Sequence, residues 1–153
     1  MSDSLSLLQL LICHRQGRVR TRGPGFTEIT ADVRAFVERS GIREGACALA
    51  VGHTSASLVI QENADPSVRR DLERFLRRLV PEASDWEHDA EGPDDMPGHV
   101  RAALLPTTLT LPVIEGAPRL GRWQGIYVWE HRARPHAREV AMSAWGVRGA
   151  ARA

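Results

Sequence analysis

The chain has 153 residues, of which 42% are apolar and 25% are charged, and its formal net charge at pH 7 is +1. This length fits one domain with its own apolar core, and the composition is typical of a globular protein. A net charge so close to zero gives no overall attraction to nucleic acid or to an anionic membrane. All 20 basic residues are arginine, which excludes a lysine Schiff base and the lysine of a P-loop.

The start of the chain shows no targeting signal. The apolar run Leu5–Cys13 has no basic residues before it, unlike a signal peptide. No stretch approaches the roughly 20 apolar residues that span a bilayer. We therefore expect a soluble, cytoplasmic protein with neither a membrane nor a nucleic-acid partner. Cys13 and Cys47 show no CxxC spacing, which favours free buried thiols over a zinc cluster or a redox pair.

The first elements in chain order are a strand and a short helix. Leu5–Cys13 is predicted as a strand, followed by a basic, turn-rich segment over residues 15–22. Thr30–Ser40 is predicted as a helix because apolar residues recur at helical spacing. Thr30 is the expected N-cap, and Gly41 is the expected stop.

Two strands follow, Ala46–Val51 and Thr54–Ile60. Side chains of the second alternate between an apolar face and a polar face that carries His53, Ser55 and Ser57. No G-x-S-x-G elbow surrounds Ser55, so a hydrolase triad is not indicated. The polar face is predicted to hydrogen-bond a substrate, and the alternative is a histidine that binds backbone at the end of a strand.

Pro66–Val80 is predicted as an amphipathic helix with Asp65 as its N-cap. Its arginines are interpreted as a solvated face because acidic residues lie among them. Its apolar stripe consists of Val68, Leu72, Phe75, Leu76 and Leu79.

The rest of the chain begins with a polar connection over residues 81–98, which is long enough to suggest function. A short helix, Pro97–Leu105, and a strand, Thr107–Val113, come next. Trp123–His131 and Glu139–Trp145 are predicted to pair as a hairpin. The order of elements predicts one α+β domain over the whole chain, with a mainly antiparallel sheet and two or three helices around a core of about residues 5–147.

Residues that can carry chemistry fall in three clusters. In residues 87–99 two histidines flank several carboxylates. Such a set can bind zinc or a similar ion, or the two imidazoles can act as an acid and base pair. A solvated acidic loop is the alternative. In residues 121–132, six residues of strand separate Gln124 from Glu130 by roughly 20 Å. Both side chains can therefore contact one small ligand only if subunits share a site. The clusters are residues 52–65, with His53, Ser55, Glu62 and Asn63; residues 87–99, with His88, Asp94 and His99; and residues 121–132, with Gln124 and Glu130.

These clusters together resemble the YjbQ-like family of mostly uncharacterised proteins, and the resemblance covers about residues 5–146. The motifs that carry it are His-Thr-Ser-Ala-Ser at His53–Ser57, Glu-Asn-Ala-Asp-Pro at Glu62–Pro66, Glu-His-Asp and Asp-Asp-Met-Pro-Gly-His within Glu87–His99, and Trp-Gln-Gly-Ile and Glu-His-Arg within Trp123–Arg132.

The resemblance implies a homotrimer with polar clusters near subunit boundaries. It also implies a weak thiamine-phosphate synthase activity, which joins a pyrimidine pyrophosphate to a thiazole phosphate. Arg122 departs from the threonine that relatives often have, and only part of the family shares His131, so neither residue receives a role. The resemblance carries over His53, Ser55, Glu62, Asn63, His88, His99, Gln124 and Glu130 as the site. Together with the residue patterns it leads us to expect catalytic His53, His88 and His99, substrate-binding Ser55, Glu62, Asn63, Gln124 and Glu130, and metal-binding His88, His99 and Asp94.

Three functions remain open from the sequence. An enzyme would use the histidines for proton or metal chemistry, and a magnesium ion held by Asp94, Asp95 and Glu62 would bind pyrophosphate. Yet no Gly-rich loop before a helix provides a phosphate cradle. The alternatives are a non-catalytic binding protein for a small anionic metabolite and an interaction module.

Overall fold

The computed structural model describes residues 9–82 and 85–148. Within these ranges the chain forms eight strands and three helices, all joined by short connections apart from the segment before the third helix. In chain order they are β1 (Leu10–Arg20), β2 (Gly25–Glu28), α1 (Thr30–Ser40), β3 (Glu44–Val51), β4 (Ala56–Glu62), α2 (Pro66–Leu79), α3 (Asp95–Leu104), β5 (Thr108–Ile114), β6 (Ala117–Pro118), β7 (Gln124–Glu130) and β8 (Ala137–Val147).

The strands form two antiparallel sheets. Sheet A has the order β1-β8-β3-β5-β6, and sheet B has the order β2-β7-β4. Apolar side chains from both sheets and from α1 meet in one core, which includes Leu49, Leu58, Val128, Met142 and Phe36. The α+β class and the antiparallel sheets are confirmed.

The hairpin predicted from the last two strands is wrong. β7 pairs with β2 and β4 in sheet B, whereas β8 pairs with β1 and β3 in sheet A. The burial patterns explain the difference: β7 is buried at every position after Gln124, because both faces of sheet B are covered, whereas β8 alternates between buried and outward positions. Consecutive strands with such different surroundings belong to different sheets.

The basic segment after residue 14 is strand rather than turn. β1 runs unbroken to Arg20 and pairs with β8 along its whole length. Arg18 and Arg20 point outward while Val19 points inward. This alternation is typical of an edge strand with one solvated face. The predicted strand residues 5–8 lie outside the described residues.

The first two helices lie where the sequence predicts them. α1 has the predicted bounds, and Gly41 ends it with a φ of 70°. The N-cap is Ile29 rather than Thr30, whose hydroxyl instead accepts the Ile126 N–H at 2.9 Å. Asp65 caps α2 by accepting the Ser67 N–H at 2.7 Å.

The apolar stripe of α2 is wider than the surface that the fold covers. Leu76 is buried, but Phe75 is 56% exposed and Leu79 is 57% exposed. Both α2 and α3 contact sheet B on the side away from sheet A. None of the three helices in the described ranges is long and apolar enough to cross a membrane.

Candidate functional site

One end of sheet B brings together the three histidines of the predicted site. β4 begins at Ala56, which pairs with Glu130 at the end of β7. His53 lies in the turn just before β4, and α3 packs on that strand. The connection between α2 and α3 returns to this end and places His88 beside α3.

Two imidazoles and one carboxylate converge at the N-terminal end of α3. His88 Nε2 lies 2.8 Å from Asp95 Oδ2, and His99 Nε2 lies 3.5 Å from the same oxygen. One ligand atom from each of the three residues can be chosen so that all lie within 4.8 Å of one another. Asp95 is buried, while His88 is exposed and His99 is partly exposed. We call these three residues the His-Asp-His cluster.

The hydrogen bonds of His99 determine which ring nitrogen carries its proton. His99 Nδ1 lies 3.1 Å from the carbonyl oxygen of Thr54, which can only accept. Nδ1 is therefore the protonated nitrogen, and in the neutral ring Nε2 carries a lone pair that faces Asp95 Oδ2. Two acceptors that face each other at this distance repel unless a proton or a cation lies between them.

Asp95, and not Asp94, is the carboxylate that faces the two imidazoles. Asp94 Oδ2 instead accepts from Arg132 Nε at 2.9 Å and from the Ala133 N–H at 2.8 Å. Burial acts to raise the pKa of Asp94, but these hydrogen bonds outweigh it and lower the pKa. The metal-ligand prediction for Asp94 does not fit this geometry, because one residue along the start of a helix turns the side chain by about 100°.

Arg132 links the acidic residues of the long connection to the end of β7. Its guanidinium donates to Asp94, to Asp95 Oδ1 and to the carbonyl oxygen of Glu91. The hydrogen bond to Asp95 Oδ1 leaves Oδ2 directed at the histidines. Arg132 therefore orients the His-Asp-His cluster from behind, as hydrogen-bonding partners commonly do for metal-binding carboxylates.

Glu130 and Arg138 form a buried ion pair beneath this site. Both Arg138 Nε and Nη2 donate to the Glu130 carboxylate, which also accepts from Thr21 Oγ1 at 3.0 Å. Neither residue is more than 1% exposed. Burial acts to raise the pKa of Glu130, but the hydrogen bonds from Arg138, the Arg132 backbone and Thr21 lower it overall. Glu130 thus supports the site from the interior, and its predicted contact with substrate does not fit its burial.

Ser55 connects this ion pair to His53. Arg138 Nη2 donates to Ser55 Oγ at 3.2 Å, and Ser55 Oγ lies 3.0 Å from His53 Nδ1. The backbone N–H of Ser55 donates to the same nitrogen at 3.1 Å. Ser55 is fully buried, so it positions His53 and does not present a hydroxyl to a ligand.

An open cavity of about 560 Å³ lies between His53 and His99. Its walls combine these two rings with the apolar side chains of Val51, Ala102 and Ala103. A volume of this size is typical of sites for small molecules. A neighbouring cavity of about 410 Å³ is lined by His88, Trp86, Asp85, Asp89 and Glu82, among others. The His-Asp-His cluster thus contributes one histidine to each cavity.

The remaining predicted site residues lie at the opposite end of sheet B. Glu62 pairs with Gln124 where β4 ends and β7 begins, and the Asn63 amide lies 3.4 Å from the carbonyl oxygen of Gln124. A seven-residue strand separates this end from Ala56 by roughly 20 Å. Glu62 therefore cannot join Asp94 and Asp95 in one magnesium site within a subunit.

The sequence assigned no role to Arg132 or Arg138, and it named Asp95 only as a possible magnesium ligand, not as the carboxylate between the two histidines. Arg138 does carry a signal, because it shares strand parity with Val140 and Met142, which are buried. An arginine on the buried face of a strand requires an anionic partner. Arg132 lies in an irregular segment, where no periodicity indicates the direction of a side chain.

Comparison with known proteins places this chain among relatives of similar length. It is 46% identical over 129 residues to a UPF0047 protein of Synechocystis, covering 84% of this chain and 88% of that relative. It is 42% identical over 123 residues to the UPF0047 protein YjbQ of Escherichia coli O157:H7, covering 80% and 89% of the two chains.

Solved structures show the same fold. An uncharacterized conserved protein of the YjbQ/UPF0047 family from Clostridium acetobutylicum superposes with a TM-score of 0.76 at 31% identity, covering 86% of this chain and 98% of that one. A conserved hypothetical protein from Thermus thermophilus superposes with a TM-score of 0.74 at 34% identity, covering 84% and 97%. A sequence model described as "UPF0047 protein YjbQ-like" matches residues 15–147. The chain therefore belongs to the UPF0047, or YjbQ-like, family.

Proposed function

We propose that this protein binds a divalent metal ion through His88, Asp95 and His99 and uses it to act on a small anionic metabolite. The observation that carries the proposal is the hydrogen bond between His99 Nδ1 and the carbonyl oxygen of Thr54. It leaves the Nε2 lone pair facing Asp95, and a cation between the two groups removes their repulsion. Metal-binding histidines usually donate their second ring N–H to a carbonyl or carboxylate in this way.

The donor set favours zinc over magnesium. Two imidazole nitrogens and one carboxylate match catalytic zinc sites, which keep a fourth position open for water or substrate. Magnesium prefers oxygen ligands alone. Among residues 9–82 and 85–148 no second carboxylate joins the cluster, and Asp94 Oδ2 is directed at Arg132 and the Ala133 N–H. The alternative oxygen donor, Glu62, lies at the opposite end of sheet B.

When bound, zinc acts as a Lewis acid and lowers the pKa of a coordinated water. The residues of the chain have separate tasks around it. Arg132 fixes the carboxylate of Asp95, and Thr54 fixes the ring of His99. The apolar side chains of Val51 and Ala102 line the 560 Å³ cavity beside the cluster and can contact an apolar part of the metabolite.

Zinc binding tests this proposal directly. We expect the purified protein to bind about one zinc ion per chain in equilibrium dialysis and to unfold at a higher temperature when zinc is added. Variants His99→Ala and Asp95→Asn should lose both effects. His14→Ala is a matched control, because His14 contacts Ser143 on sheet A instead. Equal zinc binding by all four proteins would overturn the proposal.

For the reaction itself, we propose the weak thiamine-phosphate synthase activity that the family resemblance implies. The site offers little cationic charge for pyrophosphate, since Arg132 and Arg138 are committed to carboxylates. A slow reaction is therefore expected. Incubation with the pyrimidine pyrophosphate and the thiazole phosphate, followed by chromatography, should yield thiamine phosphate in the wild type but not in His99→Ala.

A non-catalytic binding protein for a small anionic metabolite is the second candidate. The open cavity favours it, because a ligand of suitable size can enter without a rearrangement. It predicts ligand-dependent thermal stabilisation with no product. Either function is expected in the cytoplasm, where the thiols of Cys13 and Cys47 stay reduced.

We also propose that the chain assembles as a homotrimer through the outer face of sheet A. In residues 9–82 and 85–148 the helix that contacts sheet A, α1, packs on its core side, and the outward side chains of the central strand β3 include Ala46, Ala48 and Ala50. These small side chains permit close approach at the centre of the sheet, and the exposed apolar side chains of Leu10, Ile12 and Trp145 on the neighbouring strands can pack against another subunit. Ala48→Glu should yield a folded monomer in light scattering after size exclusion, whereas an unchanged trimer would exclude this face.

A further inference from the structure

The ring of His53 has one engaged nitrogen and one free nitrogen. Two groups of Ser55 lie within hydrogen-bond distance of Nδ1: the backbone N–H at 3.1 Å and the hydroxyl at 3.0 Å. No residue in the ranges 9–82 and 85–148 forms a hydrogen bond with Nε2. His53 is exposed at the wall of the 560 Å³ cavity, so Nε2 is the nitrogen available to a ligand.

The geometry determines the tautomer of His53. A backbone N–H can only donate, so Nδ1 must accept and cannot carry a proton while this hydrogen bond is formed. The neutral ring therefore carries its proton on Nε2. The opposite tautomer would set two N–H groups against each other, which is repulsive.

The buried groups behind Ser55 reinforce this arrangement. Arg138 donates to Ser55 Oγ, which directs the hydroxyl proton toward His53 Nδ1. Arg138 is itself held by two hydrogen bonds to Glu130. Protonation of His53 would break the Ser55 hydrogen bonds and add a cation near Arg138. Burial, with Arg138 as the next cause, lowers the pKa of His53, despite the opposing effect of Glu130.

We infer that His53 is a neutral Nε2–H donor that binds an acceptor oxygen of the ligand, rather than a general base or a metal ligand. A base at this position would need a free lone pair on Nε2, and the Ser55 hydrogen bonds place the lone pair on Nδ1. Neutral imidazole donors serve in other enzymes to stabilise developing negative charge on a substrate oxygen. This inference rests on the proposed function for the identity of the ligand.

The cavity indicates which acceptor His53 meets. His53 and His99 line the same space, so a ligand that contacts the His-Asp-His cluster through one oxygen can offer a second oxygen to His53. Phosphoryl and carboxyl groups carry oxygens in this arrangement. The wall of Val51 and Ala102 suits an apolar part next to that group. The ligand class is thus a small phosphate or carboxylate with an apolar moiety.

The tautomer can be measured without ligand, metal or turnover. Long-range ¹H–¹⁵N correlation spectra of histidine-labelled protein at pH 7 should show His53 with an unprotonated Nδ1 and a protonated Nε2. The signal is assigned by its absence from the His53→Gln spectrum. A protonated Nδ1, in either the neutral or the cationic ring, would overturn the inference.

Binding of inorganic phosphate tests the contact with a ligand oxygen, and the titration is run with and without zinc. His53→Phe, which lacks a donor, should bind phosphate about fivefold to tenfold more weakly, as expected for one hydrogen bond. His53→Gln, whose amide N–H lies near the position of Nε2, should recover part of the loss. Equal affinity of the wild type and His53→Phe would overturn the donor role even with the expected tautomer.

The two proposals fail separately. A protein that binds no zinc but shows the Nε2–H tautomer and weaker phosphate binding in His53→Phe contradicts only the metal site. A protein that binds zinc with His53 in the other tautomer contradicts only the inference.

Discussion

Sheet B has two polar ends that look alike in sequence but differ in structure. At the end where β7 stops, Glu130 is fully buried and bonds to Arg138, and the chain of hydrogen bonds continues through Ser55 to His53. At the end where β7 begins, Gln124 is exposed and its side chain accepts a single backbone N–H, that of Gly121.

The difference shows how burial turns polar residues into a positioned site. A buried polar group costs free energy unless it is hydrogen-bonded, so each member of the Glu130 network fixes its neighbours in one arrangement. Exposed groups such as Gln124 exchange freely between protein and water. A precise site therefore belongs to the buried end, because rigid partners hold its reactive groups in place.

The largest expected effect follows from removing Arg138. Arg138→Met leaves the Glu130 carboxylate buried without its cation, and removal of one partner of such a pair typically costs about 3–5 kcal/mol. Urea denaturation should show this loss. Arg122→Met is the matched control at the opposite end, where the exposed guanidinium lies 4.9 Å from the Trp123 ring centroid, and its effect should stay within about 1 kcal/mol.

A double variant separates burial of charge from loss of packing. If the unpaired carboxylate causes the loss, Glu130→Leu combined with Arg138→Met should be more stable than Arg138→Met alone. A double variant that is less stable than either single variant would instead assign the loss to packing.

The second effect is a pH dependence that arises from His131 at the buried end. Burial lowers the pKa of His131 to about 4 from 6.5, and Arg101 is the next cause. As the pH falls, His131 in the unfolded chain therefore binds a proton before His131 in the folded chain does. The contribution of neutral His131 to the free energy of unfolding is complete above about pH 6.5 and is lost as the pH falls toward 4. A shift of this size corresponds to about 3 kcal/mol.

Urea denaturation between pH 7.5 and pH 4.5 measures this loss. His131→Gln should flatten the pH profile, since glutamine does not titrate in this range. His53, whose pKa is also lowered, contributes in the same direction, and His53→Gln provides the comparison. An unchanged slope in His131→Gln would show that other groups cause the pH dependence.

Elements with local signals could be predicted from the sequence. α1 and α2 follow from helical periodicity, from the N-cap at Asp65 and from the stop at Gly41. Strand pairing depends on residues far apart in the chain, so the assignment of β7 and β8 to different sheets could not be read from their own residues.

The sequence indicated which residue types form the candidate site, but not which way their side chains point. The sequence indicated histidines and acids of residues 87–99 as a group, and the structure brings His88 and His99 together. The choice between Asp94 and Asp95 depends on where α3 begins, which sequence patterns locate only to within a few residues. Arg132, which donates hydrogen bonds to Asp94 and Asp95, lies in a segment without periodicity. Only the tertiary structure shows where its side chain points.

The third effect is a change in metal affinity with a smaller change in stability. Arg132→Gln removes the group that orients Asp95, and loss of such a partner typically weakens metal binding by about tenfold to a hundredfold. Isothermal titration with zinc measures this change. Arg134→Gln is the control, since this exposed arginine is two residues away. Equal zinc affinity in Arg132→Gln and the wild type would show that Asp95 is held without Arg132.

The smallest expected effect is that of Gln124→Ala, and it gives the most direct test of whether the two ends are independent. Within one subunit Gln124 lies roughly 20 Å from the cavity, and an exposed substitution of this kind changes stability by no more than about 0.5 kcal/mol. Zinc and phosphate binding should also be unchanged if each subunit carries a complete site. A trimer that places Gln124 of one subunit beside His53 of the next would instead weaken phosphate binding with no loss of stability. Such a result, abolished in the monomeric Ala48→Glu variant, would show that the two ends form one site between subunits.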